Sequence, residues 1–200
     1  MHASLAQLIP IPHRLNELQS ICRTELLPTI SAAPGFISGT VVTATLSNTA
    51  FVVSLWASET ERQAAEEHSR NATTTALTPY LLQQPSHEPF EVLVQAGESS
   101  GALFARFITL PVPAQHIDAA LDVYKGEYLP LLQAQPGFLQ VMWLANPGIG
   151  TGWGVSFWSS HEQMQAADQE GEFFPKVLAR LAVYFSGKPE MAYYAVNQKI

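Results

Sequence analysis

The chain repeats itself, and no other feature constrains its fold as strongly. Shifted along itself by 102 positions without a gap, Glu25 falls on Glu127, Pro28 on Pro130 and Pro34-Gly35-Phe36 on Pro136-Gly137-Phe138. Val53-Ser54 then meets Val155-Ser156, Trp56 meets Trp158, Ser58 meets Ser160, and Gln63-Ala64-Ala65 meets Gln165-Ala166-Ala167. Roughly a third of the positions between Glu25 and Glu67 agree, far above chance for an ungapped comparison. The chain therefore reads as two copies of one unit, 1–97 and 102–200. They are joined at Ala96-Gly97-Glu98-Ser99-Ser100-Gly101, a composition typical of flexible linkers.

Each copy reads as strand, helix, strand, strand, helix, strand. In the second copy Leu103 to Leu110 forms the first strand, stopped by Pro111 and Pro113. Ile117, Leu121 and Tyr124 follow at helical spacing, and Pro136-Gly137 ends that helix. Phe138 to Ala145 and Gly152 to Trp158 form a hairpin around Asn146-Pro147-Gly148. In the first copy, Phe36 to Leu46 and Ala50 to Trp56 do the same. Ser58-x-x-Glu61 and Ser160-x-x-Gln163 each open a second helix as a capping box. Phe90 to Gln95 and Met191 to Val196 are the closing strands.

Two windows, Leu26 to Ser58 and Tyr128 to Ser160, carry no charge and are long enough to span a bilayer. Pro28, Pro34-Gly35 and the polar Ser47-Asn48-Thr49 would break a membrane helix, so buried sheet is expected instead. Ten basic against 17 acidic residues, scattered and netting −7, give no footprint for nucleic acid. The single cysteine, Cys22, excludes an intramolecular disulfide and any Cys-based zinc cluster. The start of the chain lacks a basic and apolar leader pattern, which points to a cytoplasmic protein.

A βαββαβ unit makes an antiparallel sheet with both helices on one face, and its other face must be covered. Trp153, Val155 and Phe157 alternate with Gly154, Ser156 and Trp158, so one side packs under helices and the other seeks a second sheet. Two fused copies supply that second sheet. The expected fold is α+β: two ferredoxin-like repeats forming an intramolecular pseudo-dimer around a barrel. Further association of whole chains is compatible with the sequence.

The element order, the Pro-Gly-Phe before strand two, the Trp-x-Ser ending strand three and the helix with Ala64-Ala65-Glu66-Glu67-His68 resemble the antibiotic biosynthesis monooxygenase family of the dimeric α+β barrel superfamily. The resemblance implies a small aromatic substrate, phenolic or quinol-like, oxidised by molecular oxygen without metal or flavin. It leaves as alternative a non-catalytic protein that holds a small ligand or haem. Haem-degrading relatives use an asparagine on strand one, where this chain has Ser4 or Gln7 and Arg106.

The resemblance expects a histidine at His68, a candidate base whose counterpart is Glu170; a half-exposed helix residue is the alternative. Arg106 sits in the apolar run Phe104 to Ile108, where a buried cation needs a substrate anion or an internal acid as partner. Trp56 and Trp158 could stack a flat ring or fill core, and Asn71, Tyr80, Tyr124 and Tyr184 could add hydrogen bonds. The histidines show no paired spacing, and no dinucleotide fingerprint occurs, so neither a metal site nor a nucleotide cofactor is expected.

Overall fold

Strand β1 (His2–Leu8) opens a first set of elements, followed by α1 (Leu15–Ile21), a π-helical turn at Cys22–Leu26 and α2 (Leu27–Ser31). Then come β2 (Phe36–Ala44), β3 (Ala50–Trp56), α3 (Glu59–Leu77) and β4 (Ser86–Gly97). The order recurs as β5 (Phe104–Thr109), α4 (Ile117–Val123), a π-helical turn at Tyr124–Tyr128 and α5 (Leu129–Gln133). It closes with β6 (Phe138–Asn146), β7 (Thr151–Trp158), α6 (His161–Gln169) and β8 (Met191–Lys199). The computed structural model describes residues 1–44, 47–146, 148–169 and 178–200.

The fold is α+β, with an antiparallel sheet in each of two compact units. Unit 1 is 1–91 with 195–200, and unit 2 is 92–194. In unit 1, β1 lies between β3 and β4, with Ser4 opposite Ser54 and Ala6 opposite His87, while β2 borders β3. Gly39 exchanges both backbone hydrogen bonds with Ile200 at 2.9 Å, so the residues just after β8 are held beside β2. In unit 2, β7 lies between β5 and β6, with Arg106 opposite Ser156. Strands β4 and β8 each contribute residues to both units.

Several local devices recur at the 102-residue offset. Pro28 and Pro130 lack the N–H that would donate one turn back, and their rings crowd that turn. In each unit the helix answers with a π-helical turn just upstream of the proline. Gly35 and Gly137 take φ of 75° and 76°. A Cβ there would also collide with the side chain of Glu61 or Gln163, so both the backbone angle and the space call for glycine. Their carbonyls accept hydrogen bonds from Ala57 and Ser159 at 2.8 and 2.9 Å, which locks each helix-to-strand turn to the end of the neighbouring strand. Phe36 and Phe138, next in sequence, set their ring edges against Trp56 and Trp158. The serine half of each expected capping box forms: Ser58 Oγ accepts from the Glu61 amide at 3.2 Å, and Ser160 Oγ from the Gln163 amide at 3.1 Å.

Each unit buries its own core between helices and sheet. Leu8, Leu18, Leu27, Val52 and Trp56 belong to that of unit 1, and Leu110, Leu132, Trp143, Trp158 and Met164 to that of unit 2. No helix among the described residues is long and apolar enough to cross a membrane.

Candidate functional site

Side chains alternate across a strand, so Ser4, Ala6 and Leu8 of β1 and Val52, Ser54 and Trp56 of β3 share the helix-facing side of the unit 1 sheet. Helix α3 presents Ala65, Glu66, Ser69, Arg70, Thr73 and Leu77 at three- and four-residue spacing toward the same space. These groups, with Leu26, Ile30 and His87, enclose a cavity of about 100 Å³ that opens to solvent. A single water needs roughly 10–15 Å³ on this measure, so the space suits a small organic molecule.

Its polar groups are few and placed. Ser4 Oγ donates to Glu66 Oε1 at 2.6 Å, and Arg62 Nη1 donates to the same oxygen at 2.5 Å. Arg62 is buried and also grips Glu59 with two hydrogen bonds of 2.7 Å. The hydrogen bond to Glu59, and after it that to Glu66, holds the guanidinium above its ordinary pKa despite burial. Trp56 Nε1 donates to Ser54 Oγ at 2.9 Å, which fixes the indole as one wall. His87 stands beside Ala6 at the start of β4. The residue as a whole is exposed, yet the atoms packed around its ring desolvate it enough to lower its pKa below 6.5; Glu66 opposes that shift, and Arg70 and Arg62 add to it. The imidazole is therefore neutral at neutral pH and able to accept a proton.

The same place in unit 2 is filled. Ser4 is replaced by Arg106, Ala6 by Ile108, Cys22 by Tyr124, Leu26 by Tyr128 and Val41 by Trp143. About 20 Å³ remains among Arg106, Tyr124, Tyr128 and their neighbours, which is room for one water. Arg106, 2 % exposed, forms an ion pair with Asp168, the counterpart of Glu66. Its Nη2 lies 3.2 Å from Tyr128 Oη, and its guanidinium lies 5.4 Å from the Trp158 ring. Tyr193 Oη donates to the other Asp168 oxygen at 2.7 Å. Burial opposes the charge on Arg106, but Tyr128 and Asp168 outweigh it and hold its pKa above the ordinary value. Burial also raises the pKa of Tyr124 and Tyr128. Tyr124 Oη is buried with no hydrogen-bond partner among the described residues. Trp158 repeats the indole bond of unit 1, donating to Ser156 Oγ at 2.9 Å.

Of the residues singled out in the sequence, Trp56 lines the open cavity, and Arg106 and Trp158 belong to the filled site. His68 and Asn71 are exposed on α3 and do not line the cavity. Tyr80 is half-buried beneath the Arg14 guanidinium, 4.6 Å from its ring centre. Tyr184 lies beside His116, and Glu170 lies outside the described residues. The spacing in the sequence did not single out Glu66, Arg70 or His87 as site residues. The available signal was the α3 periodicity, which aligns Glu66, Arg70 and Thr73 on one face.

No family model and no curated protein matches the chain. Solved structures do. A candidate monooxygenase from Fusobacterium nucleatum superposes with a TM-score of 0.80 at 9% identity, covering 99% of this chain and 93% of its own. An anthrone oxidase-like protein gives 0.71 at 18% identity, covering 100% and 92%. An uncharacterized ferredoxin-fold protein related to antibiotic biosynthesis monooxygenases, from Listeria monocytogenes, gives 0.59 at 13% identity, covering 97% and 94%. At these identities the likeness establishes a shared fold over nearly the whole chain.

Proposed function

We propose that the chain is a cofactor-independent monooxygenase whose working site is the unit 1 cavity, and that it arose as a tandem duplication. The observation that carries this reading is the contrast at one position of the fold: an open, mostly apolar cavity in unit 1, and an internal ion pair with two tyrosines in unit 2. The substrate is a phenolic or quinol-like aromatic that stacks on Trp56. Loss of its hydroxyl proton gives an electron-rich anion that reacts with molecular oxygen. One oxygen atom enters the ring carbon as a carbonyl and the other leaves as water, so a phenol becomes a quinone. The protein contributes orientation, exclusion of water and stabilisation of the anion. The candidate monooxygenase and anthrone oxidase-like neighbours support this choice of chemistry.

The test is oxygen uptake by chelator-treated protein with a panel of dihydroxynaphthalenes and anthrones. One oxygen consumed per quinone formed is the expected result. Tight binding of the panel without turnover would replace this reading with that of a small-ligand carrier.

A further inference from the structure

We propose that His87 is the proton acceptor of the unit 1 cavity and Arg70 the cation that holds the resulting phenolate, on a substrate of which about one aromatic ring is enclosed. This assignment rests on the oxygenase reading above and gives it residues.

Most of the other polar groups that border the cavity are already engaged. Ser4 and Ser54 are engaged, the first with Glu66 and the second with the Trp56 indole. Arg62 is taken up by Glu59 and Glu66. Ser69 and Thr73 are joined, the Thr73 hydroxyl donating to the Ser69 carbonyl at 2.8 Å. Among the cavity's titratable groups, the side chains of His87 and Arg70 make no hydrogen bond or ion pair to the described residues, although the Arg70 carbonyl accepts from Thr73 at 3.3 Å. A neutral imidazole and an unpaired guanidinium at one cavity are the two groups that ionising a phenol requires.

The charges on the surrounding elements suit that step. The phenol O–H bond breaks, its proton passes to an imidazole nitrogen of His87, and the electron pair stays on the oxygen. The imidazolium then faces Glu66, whose charge favours it, while Arg70, whose charge disfavours it, is offset by the new phenolate. Arg62 also acts on His87, but its charge is offset by two carboxylates. An apolar cavity of about 150 Å³ accepts benzene, and this one is about 100 Å³ with an open mouth. The space therefore takes at most one ring, which reaches the open mouth, and any further rings project outward.

The experiment uses the full chain and 4-nitrophenol, whose phenolate absorbs in the visible and whose phenol does not. Wild-type protein at slightly acidic pH is expected to raise the phenolate band of the bound probe. His87→Gln should abolish that band while binding, followed by calorimetry, weakens less than about threefold. Arg70→Gln should weaken binding by about tenfold. With a phenol that turns over, His87→Gln should lower oxygen uptake by about 100-fold. The wild-type rate should also fall on an acid limb below pH 6.5, a readout that needs no variant. Near-UV dichroism confirms that each variant is folded. Ionisation of the probe without oxygen uptake would uphold His87 and sink the oxygenase reading. Oxygen uptake that keeps its rate and acid limb in folded His87→Gln would overturn the assignment and leave the reading standing. Failure of wild-type protein to bind the probe would also overturn the assignment.

Discussion

Units 1 and 2 share their joints and differ in their contents. Gly35 and Gly137 turn the chain at nearly the same φ, Trp56 and Trp158 donate to equivalent serines at the same 2.9 Å, and each first helix carries a π-helical turn. Inside that shared frame, unit 1 places Ser4 and Leu26 where unit 2 places Arg106 and Tyr128. The carboxylate position is kept, as Glu66 and Asp168, but its cationic partner changes. In unit 1 it is Arg62 on the helix; in unit 2 it is Arg106 on the strand, because Met164 occupies the helix position. Moving the guanidinium from helix to strand is what closes the second site. The lesson is that the frame depends on backbone geometry and one indole bond, which leaves the interior free to diverge.

The largest effect that would sharpen this contrast is on stability. Asp168→Asn strands the buried Arg106 charge and should cost about 3–5 kcal/mol in urea unfolding. Glu66→Gln should cost less than about 1 kcal/mol, because Arg62 keeps Glu59 as a partner. Equal losses would mean that the two ion-pair sites are not different in kind. Next comes an exchange of contents: Leu26→Tyr imports the residue found at 128 and should cut turnover at least tenfold, about 1.4 kcal/mol in binding terms. Tyr128→Phe should leave turnover unchanged, and a rate loss there would give unit 2 a part in the chemistry. Smaller again, Trp56→Phe and Trp158→Phe each remove one indole hydrogen bond and should cost about 1 kcal/mol apiece. Only Trp56→Phe should raise KM, since only that indole borders the open cavity.

The smallest effect concerns pH and stability. Burial lowers the pKa of His87 in the folded protein, so below about pH 6.5 the unfolded chain binds more protons at this residue than the folded one. Stability should therefore decline as pH falls through 6.5 toward the folded value, and that slope should flatten in His87→Gln. Asp168→Asn should leave this slope unaltered, which would separate the two units by titration alone.

Much of the frame was legible in the sequence because it is written in local signals. The capping boxes, the Pro-Gly-Phe turns and the alternation of Gly154, Ser156 and Trp158 against Trp153, Val155 and Phe157 all act within a few residues. The π-helical turns were harder to read, since Pro28 and Pro130 look like ordinary first-turn prolines. The site itself was less legible. His87 sits in Gln84-Pro85-Ser86-His87-Glu88-Pro89, which reads as a polar loop, yet β4 already starts at Ser86 by pairing with Gln7. That pairing, not local propensity, makes it a strand. Arg106 was conspicuous as a charge in an apolar run, but its partner Asp168 lies 62 residues away and no local pattern points to it.

Strands β4 and β8 each begin in one unit and end in the other, and this has a bearing on biosynthesis. Unit 1 takes in residues 195–200, which leave the ribosome after every residue of unit 2 has been made. An N-terminal domain usually folds first during translation, but here unit 1 is not complete until every residue of unit 2 has been made. Unit 2 has all its residues while the cavity-bearing unit still waits for a strand end beside β2, where Gly39 meets Ile200. A chain truncated before residue 195 would keep every residue of unit 2 while the cavity-bearing unit lacked the segment that pairs with β2.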